Sequence, residues 1–508
     1  MHTPFVPAGL PLKVRKTVGI DLGTTNSVIA VLDATDSALL TGRDEQGRTT
    51  FPSLVGYHPE QNRLVAGRAA RGIPLTLPLA SVKRYMGLDR RFPVGPRELT
   101  APEASAEVLR LLRDVLARTV NDARFRIDSA VVTMPAYFNH NQIEATRQAG
   151  ELAGYEVVEL LHEPTAAAIY YSWALNHGDA TYLVYDLGGG TFDVSVIRRR
   201  LGDYEVLSVS GDPFLGGDDF DRLLASHLLE HGSWQIGGEA VAPNSPELSR
   251  LLGPAGGVPF RRLVQVAEGI KVELTAAERV ERYAPNMVCD EDGRPVDLEV
   301  SVERATFNRL IKDKVDRTID CCREALGRAR ERAGLQLRDV DHVILVGGSS
   351  RVPLVRETVR AAFCNPDLGE HARSLEPLLH EPDLCVAYGA ALRAATHGTR
   401  YLFPMRNDEA EADGLGLHLT SPANSRDVHY QLTGAVHVPD AVSSSSIPHW
   451  LDGASVRVRS LATGLTEEAF LDGRGTFAQE LELEPETDNA LELAVCGGAG
   501  VEVARVVV

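Results

Sequence analysis

Asp21 and Asp186 are the two carboxylates around which this 508-residue sequence arranges its chemistry. Each closes an apolar run and opens a turn of glycine and hydroxyl residues, VGIDLGTTNSVIAV at Val18–Val31 and LVYDLGGGTFDVSVI at Leu183–Ile197. A second apolar run follows each turn, so both stretches predict β-hairpins. Glycine supplies the positive φ that tight hairpin turns use. It also leaves backbone N–H groups uncovered, so the turn can become a concave anion site. Thr24, Thr25 and Thr191 add hydroxyl donors, and each aspartate offers a carboxylate to a metal or its waters. Two such hairpins facing across a cleft would hold a polyphosphate from both sides, with Mg²⁺ between. Two ordinary hairpins of a β-rich core are the plainer alternative; repetition of the same Asp-Leu-Gly order argues against it. No Gly-Lys pair occurs in the sequence, so a Walker A loop is excluded.

Other residues stand out against the composition. The chain has six lysines against 46 arginines, so Lys83 in SVKRYMG is a departure from its default base, with a solvated surface lysine as the plainer alternative. Glu268 and Lys271, three apart, share one side of a helix. As a surface ion pair they would matter little. The loop Gly347–Arg351, GGSSR, follows a strand and precedes a helix, a place where backbone can approach a ring or ribose closely.

The elements that must position these residues alternate in an α/β pattern. Apolar spacing predicts a helix over Ala104–Val120, a strand over Ser129–Pro135, and a helix over Asn139–Ala153. A strand at Tyr155–Leu161 and a small-residue helix opening at Glu163–Ala168 come next. Further helices are expected at Leu223–Glu230, Arg261–Leu274, Arg304–Ala333 and Asp383–Arg393, with a strand at His342–Val346. Gly232–Gly257, rich in Gly, Pro and Ser, reads as a surface excursion. From about Thr396 helical periodicity gives way to short alternating runs: Leu415–Thr420, Val428–Leu432, Ser455–Ser460, Phe477–Leu483, Ala490–Cys496 and Val501–Val508. Turn residues separate them, which predicts a small β-sandwich. Asn407–Asp413 reads as an acidic flexible joint and Ser443–Ser446 as a loop tip. The expected division is an extension at 1–17, a nucleotide-binding domain at 18–397, a linker at 398–413 and a β-domain at 414–508.

A net charge of −18 excludes a general nucleic-acid binder, because phosphate backbones demand a basic surface. No run approaches the ~18–20 apolar residues of a membrane span, and the N-terminus has no signal-peptide core. Six cysteines without CxxC spacing suggest neither zinc nor a disulfide framework. The expectation is a cytoplasmic protein that engages neither membrane nor nucleic acid.

GIDLGTTNSV, TFPSLVGY, SVKRYMG, VTMPAYFN, EPTAAA, YDLGGGTFDVSV, LGGDDFD, EGIKVELT, VILVGGSSRVPLV and EPDLCVAYGAAL follow one another between about Val18 and Ala395. In that order they resemble the nucleotide-binding domain of the heat shock protein 70 family, the DnaK-type chaperones of protein folding and stress response. The resemblance implies an α/β actin-like ATPase fold: two duplicated lobes around a cleft holding ATP or ADP with Mg²⁺, and K⁺ as a further candidate ion. It implies slow hydrolysis of ATP to ADP and phosphate. Lys83, Glu163, Asp186 and Thr191 would be the catalytic residues, with Asp21 and Asp186 holding the metal through water. Asp21, Gly23, Thr24 and Thr25 would form one phosphate loop, and Gly188, Gly189, Gly190 and Thr191 the other, followed by Asp193. Gly216 and Gly217 would lie near the phosphates. Glu268, Lys271 and Thr275 would hold adenosine from one side, and Gly347, Gly348, Ser349, Arg351 and Asp383 from the other. The implied partners are an unfolded or partner protein on the β-domain, a J-domain co-chaperone and a nucleotide-exchange factor.

The chain departs from that family in three places. Ile143 stands where the family usually has an arginine of the interdomain relay, with Arg147 one turn on. GTRYLFPMRNDEAEADG replaces the usual apolar linker, with YLF as the candidate remnant of it. The segment after Asp413 lacks the usual peptide-binding sequence and a helical lid, so fast peptide release is expected. A nucleotide-gated scaffold docking one folded partner is therefore the competing reading. GGDDFD and VGGSSRVP argue against an actin-like filament former, and a sugar kinase of the same superfamily is a further alternative.

Overall fold

Two sheets of one design carry the chain as far as Ala395. In the first, β1 (Lys13–Asp21), β2 (Asn26–Leu32) and β3 (Leu39–Thr41) form an antiparallel meander. Beside β1 run two parallel strands, β4 (Phe125–Met134) and β5 (Glu156–His162), giving the order β3-β2-β1-β4-β5. The second sheet repeats this with β6 (Ala180–Leu187), β7 (Phe192–Arg200) and β8 (Asp203–Asp212) as the meander. Its parallel strands are β13 (His342–Val346) and β14 (Pro377–Leu378), in the order β8-β7-β6-β13-β14. The duplication seen in two hairpins is thus a duplication of whole sheets. The computed structural model describes residues 13–33, 38–73, 78–122, 125–243, 245–252, 258–290, 292–364, 376–407, 410–421, 429–437, 453–483, 489–497 and 502–508.

Local sequence explains the helices. Thr100 and Glu103 form a reciprocal capping box that starts α1 (Ala101–Val120) three residues ahead of its apolar stripe. Its buried face carries Val108, Leu112, Val115 and Leu116 into the core of the first lobe. Asn139 and Gln142 cap α2 (His140–Leu152) in the same way. Helix α3 (Glu163–Ala174) is apolar nearly all round, as a helix covered on both sides must be. It packs against α8 (Cys385–Ala395) between the two sheets.

The second lobe differs from expectation in three places. Helix α4 (Gly217–His231) begins inside LGGDDFD, six residues early, because the Asp219 carboxylate accepts from the Gly216 N–H at 3.0 Å. Gly232–Gly257 is not simply a surface excursion. It contributes β9 (Ser233–Ile236), β10 (Glu239–Val241) and the helix Pro246–Leu252, and buries Trp234, Ile236, Leu248 and Leu252. After α5 (Val258–Glu273), β11 (Arg279–Cys289) and β12 (Pro295–Glu303) complete a sheet in the order β10-β9-β12-β11. Their alternating pattern, buried Val296, Leu298, Val300 and Val302 between half-buried or exposed neighbours, is a half-buried hairpin absent from the expectations. The long helix α6 (Arg304–Ala333) and α7 (Pro353–Phe363) flank β13.

The segment expected to be a flexible joint is largely strand. β15 (Thr399–Asn407) pairs antiparallel with β1 (Lys13↔Leu402, Val14↔Tyr401, Lys16↔Thr399) and with β16 (Ala410–Leu419). Tyr401 and Leu402 of the YLF run thus pair with the open edge of β1, and Glu411 lies opposite Arg406 in the β15–β16 ladder; Asp408 and Glu409 lie outside the described residues. The sheet continues through β17 (His429–His437) to β20 (Thr476–Glu482). A second sheet packs on it: β19 (Thr466–Phe470), β18 (Ser455–Ser460), β21 (Leu491–Cys496) and β22 (Glu502–Val507). Leu417, Leu432 and Phe477 meet Val456, Leu493, Val495 and Val506 in a sandwich core. Strand β19, three of whose five residues are charged or polar and exposed, lacks the alternation that reveals the others. Ser443–Ser446 and residues 1–12 lie outside the described residues. Among those described, no helix is long and apolar enough to cross a membrane.

Candidate functional site

Both glycine turns open on one cleft between the lobes, at the ends of β1 and β6 that carry Asp21 and Asp186. Asp21, Gly23, Thr24, Thr25, Lys83, Glu163, Asp186, Gly188, Gly189, Gly190, Thr191, Gly347, Gly348 and Asp383 all line it. Its open volume is about 720 Å³ including the solvent at its mouth, within the usual range of small-molecule sites. Pro135, Val346, Pro382 and Val386, none of them expected in the site, join the lining.

The glycines serve close approach here, not positive φ. None of Gly23, Gly188, Gly189 or Gly190 has φ in the left-handed region; Gly347 does, at 81°. A Cβ on Gly189 would overlap the Thr25 side chain across the cleft, and one on Gly216 would lie 2.8 Å from the Gly190 nitrogen. Gly216 and Gly217 therefore underpin the second turn, and the Gly217 N–H donates to the Gly188 carbonyl at 3.0 Å. Ser349 Oγ donates to the same carbonyl at 2.9 Å.

At the cleft floor, Lys83 is buried and ion-paired with Glu163. Asp21, Asp186 and Asp193 crowd the same pair. Burial, then the Glu163 charge, pushes the Asp21 carboxyl from an ordinary 3.8 up to about 7, and Lys83 and the Thr133 hydroxyl hold it back. Burial and the neighbouring Glu163, Asp193 and Asp21 charges raise Asp186 well above the carboxylate range. Asp193 rises to about 7 by burial and then Glu163, opposed by its hydrogen bond with Thr191. It lies behind the cleft, in a small chamber with Tyr137, Ser195 and Ser210.

Four carboxylates around one lysine are short of positive charge, and a hydrated divalent cation would supply it. Among the described residues no group of three or more His, Cys, Asp or Glu is placed to hold a metal directly. An ion held by one or two carboxylates and otherwise by water, as Mg²⁺ prefers, fits Asp21 and Asp186.

The Asp21 shift predicts a pH dependence. Free of cation and nucleotide, the folded chain keeps this proton up to about pH 7, while the unfolded chain releases it near 4. The group's contribution to stability therefore falls as pH rises through that window. Asp21→Asn has no proton to lose, so it gains on wild type across the same range. Melting both proteins in EDTA at about pH 5 and about pH 8 checks the sign; a difference that does not grow with pH refutes it.

The residues expected around adenosine are only partly assembled. Gly347, Gly348 and Asp383 line the cleft, and Arg351 is paired with Asp383 at 2.8 Å. On the other side, Lys271 is held by Asp221 at 2.8 Å and by the Gly217 carbonyl at 3.3 Å. Thr275, in the turn that follows α5, donates its hydroxyl to the Val272 carbonyl at 2.6 Å. Glu268, one turn before Lys271, contributes charge at Asp221 rather than a wall of the cleft. On α2, Arg147 donates to the Val157 carbonyl on β5 at 2.8 Å.

Motif reading missed Arg84, which reaches the Gly190 carbonyl from beside Lys83. Its place directly after Lys83 was the available signal. Compared with known families, the chain matches the family model described as Hsp70 protein over residues 17–95 and 91–402.

Proposed function

Because this chain belongs to the Hsp70 family, we propose that its cleft binds ATP with Mg²⁺ and hydrolyses it slowly, and that nucleotide state governs protein binding by the C-terminal sandwich. The observation that carries this reading is the pair of Asp-glycine turns facing each other over the Lys83–Glu163 pair. Phosphoryl transfer to water asks for alignment and positive charge more than covalent help. Mg²⁺ held through water by Asp21 and Asp186 would supply charge to the phosphate oxygens. Lys83 adds a fixed cation and orients the attacking water. Glu163 fixes Lys83 and accepts from that water, and Thr191 closes the second turn. Gly347, Gly348 and Asp383 face the nucleoside, with Glu268, Lys271 and Thr275 moving in as the lobes close.

On this reading the sandwich takes an unfolded or partner protein, with a J-domain co-chaperone and an exchange factor acting on the lobes. One observation favours the scaffold alternative, in which a dedicated folded partner docks instead. β15 joins the sandwich to β1 by backbone pairing, and His418 on β16 is hydrogen-bonded to the His397 carbonyl at 2.7 Å. A tail held this way moves with its lobe.

ATP turnover by the full chain, with and without reduced unfolded lactalbumin, separates the two. Stimulation by the unfolded chain supports chaperone coupling; unstimulated basal turnover supports the scaffold. No turnover at all would overturn the hydrolytic reading.

A further inference from the structure

Arg84 belongs to one lobe and ends on the other. It sits in the 3₁₀ turn Val82–Tyr85, anchored in the first lobe's core by Val82 and Met86. One Nη donates to the Gly190 carbonyl in the β6–β7 turn. The guanidinium carbon lies 5.7 Å from the ring centre of Phe214, in the β8–α4 connection of the second lobe. Phe214 is 70% exposed, so apolar burial does not account for an aromatic there. Its ring face offers a cation–π partner at the cleft rim. A Cβ on Gly190 would lie 2.6 Å from Arg84 Nη2, so the glycine is needed for the arginine to arrive.

Two polar atoms at this seam are buried without a partner among the described residues: Arg84 Nε and Thr25 Oγ1. A donor and a hydroxyl left so, beside two anion-binding turns, lack one acceptor.

We infer that Arg84 is a latch between the lobes, engaged only while Gly190 and Phe214 are brought up to it, and completed by a phosphate oxygen lying in the turn. The inference rests on the nucleotide reading above. Opening the cleft to release nucleotide must break both the hydrogen bond and the ring contact. The latch therefore sets how long nucleotide stays.

The test is release of a fluorescent N-methylanthraniloyl-ADP from the full chain with Mg²⁺, chased by unlabelled ADP. Arg84→Ala is expected to speed release about tenfold or more, the range for a hydrogen bond from a charged donor. Phe214→Ala should speed it roughly two- to fivefold. Arg84→Lys keeps the charge but loses the fork, and should fall between wild type and Arg84→Ala. In the double variant Arg84→Ala/Phe214→Ala, release should be no faster than with Arg84→Ala alone, because the ring acts through the arginine. Should Arg84→Ala not fold, Phe214→Ala at its exposed site carries the test. Binding with release rates unchanged in the single variants overturns the latch alone, as does a double variant that multiplies the two effects. If wild type does not bind the probe, the nucleotide reading falls and the latch with it.

Discussion

Lys83→Ala is expected to lower ATP turnover by about 10²–10³-fold, the usual loss when one charge-stabilising group is removed from a transition state, while ATP still binds through the glycine turns. Lys83 is 5% exposed and lies against Glu163, with Asp21, Asp186 and Asp193 around that carboxylate. It is one of only six lysines, in a chain that uses arginine almost everywhere else for positive charge. A compact ammonium fits between carboxylates where a planar guanidinium would not. Alanine would also leave Glu163 buried and unpaired, so the variant should melt lower than wild type. Lys83→Ala/Glu163→Gln separates the two effects: the double variant should regain much of the melting temperature and none of the turnover. Turnover within about threefold of wild type in Lys83→Ala, against the loss expected of such a group, would remove this lysine from the chemistry.

The second large effect is expected far from any charge. Gly389 lies in α8 where that helix crosses α3, and a Cβ there would overlap the carbonyl of Ala166. Gly19 on β1 meets the backbone of Ala391 in the same way. These contacts bring two helices and a strand together at the junction of the lobes, with backbone against backbone and no flexible side chain able to give way. Gly389→Ala should destabilise the chain by about 3 kcal/mol or more, at or above the upper end for overpacked cores, and weaken nucleotide binding by spreading the lobes. The control is Gly327→Ala, in the exposed face of α6 with no atom near a new Cβ. There the same change should stabilise by about 0.5–1 kcal/mol through helix propensity alone. Equal melting shifts for the two variants would show that the crossing is looser than its geometry.

Much of this was legible from residue order. Glycine turns next to aspartates announced both hairpins, and the long helix expected at about Arg304–Ala333 is α6. The cleft was legible because its chemistry sits in short contiguous motifs at strand ends. The purpose of the glycines was not: close approach depends on what lies opposite, and Thr25 stands across the cleft from Gly189. β9 and β10 were hidden because four and three residues are too few to show a period amid Gly and Pro. The partner of β15 could not be read at all, since pairing with β1 joins residues as distant in sequence as Lys13 and Leu402. Arg84 was overlooked because arginine is common here, and only its reach across the seam distinguishes it.

One edge of β1 is shared between two partners, β2 along Gly19–Asp21 and β15 along Lys13–Lys16. Cutting the chain at Gly398 would therefore not yield two independent bodies. The lobes would keep a stretch of strand whose backbone donors and acceptors had lost their neighbours, and the sandwich would carry the complementary stretch away. Such an edge is a template for whatever strand comes near. Each fragment would be adhesive, to itself or to the other, so the natural unit of this protein is the uncut chain.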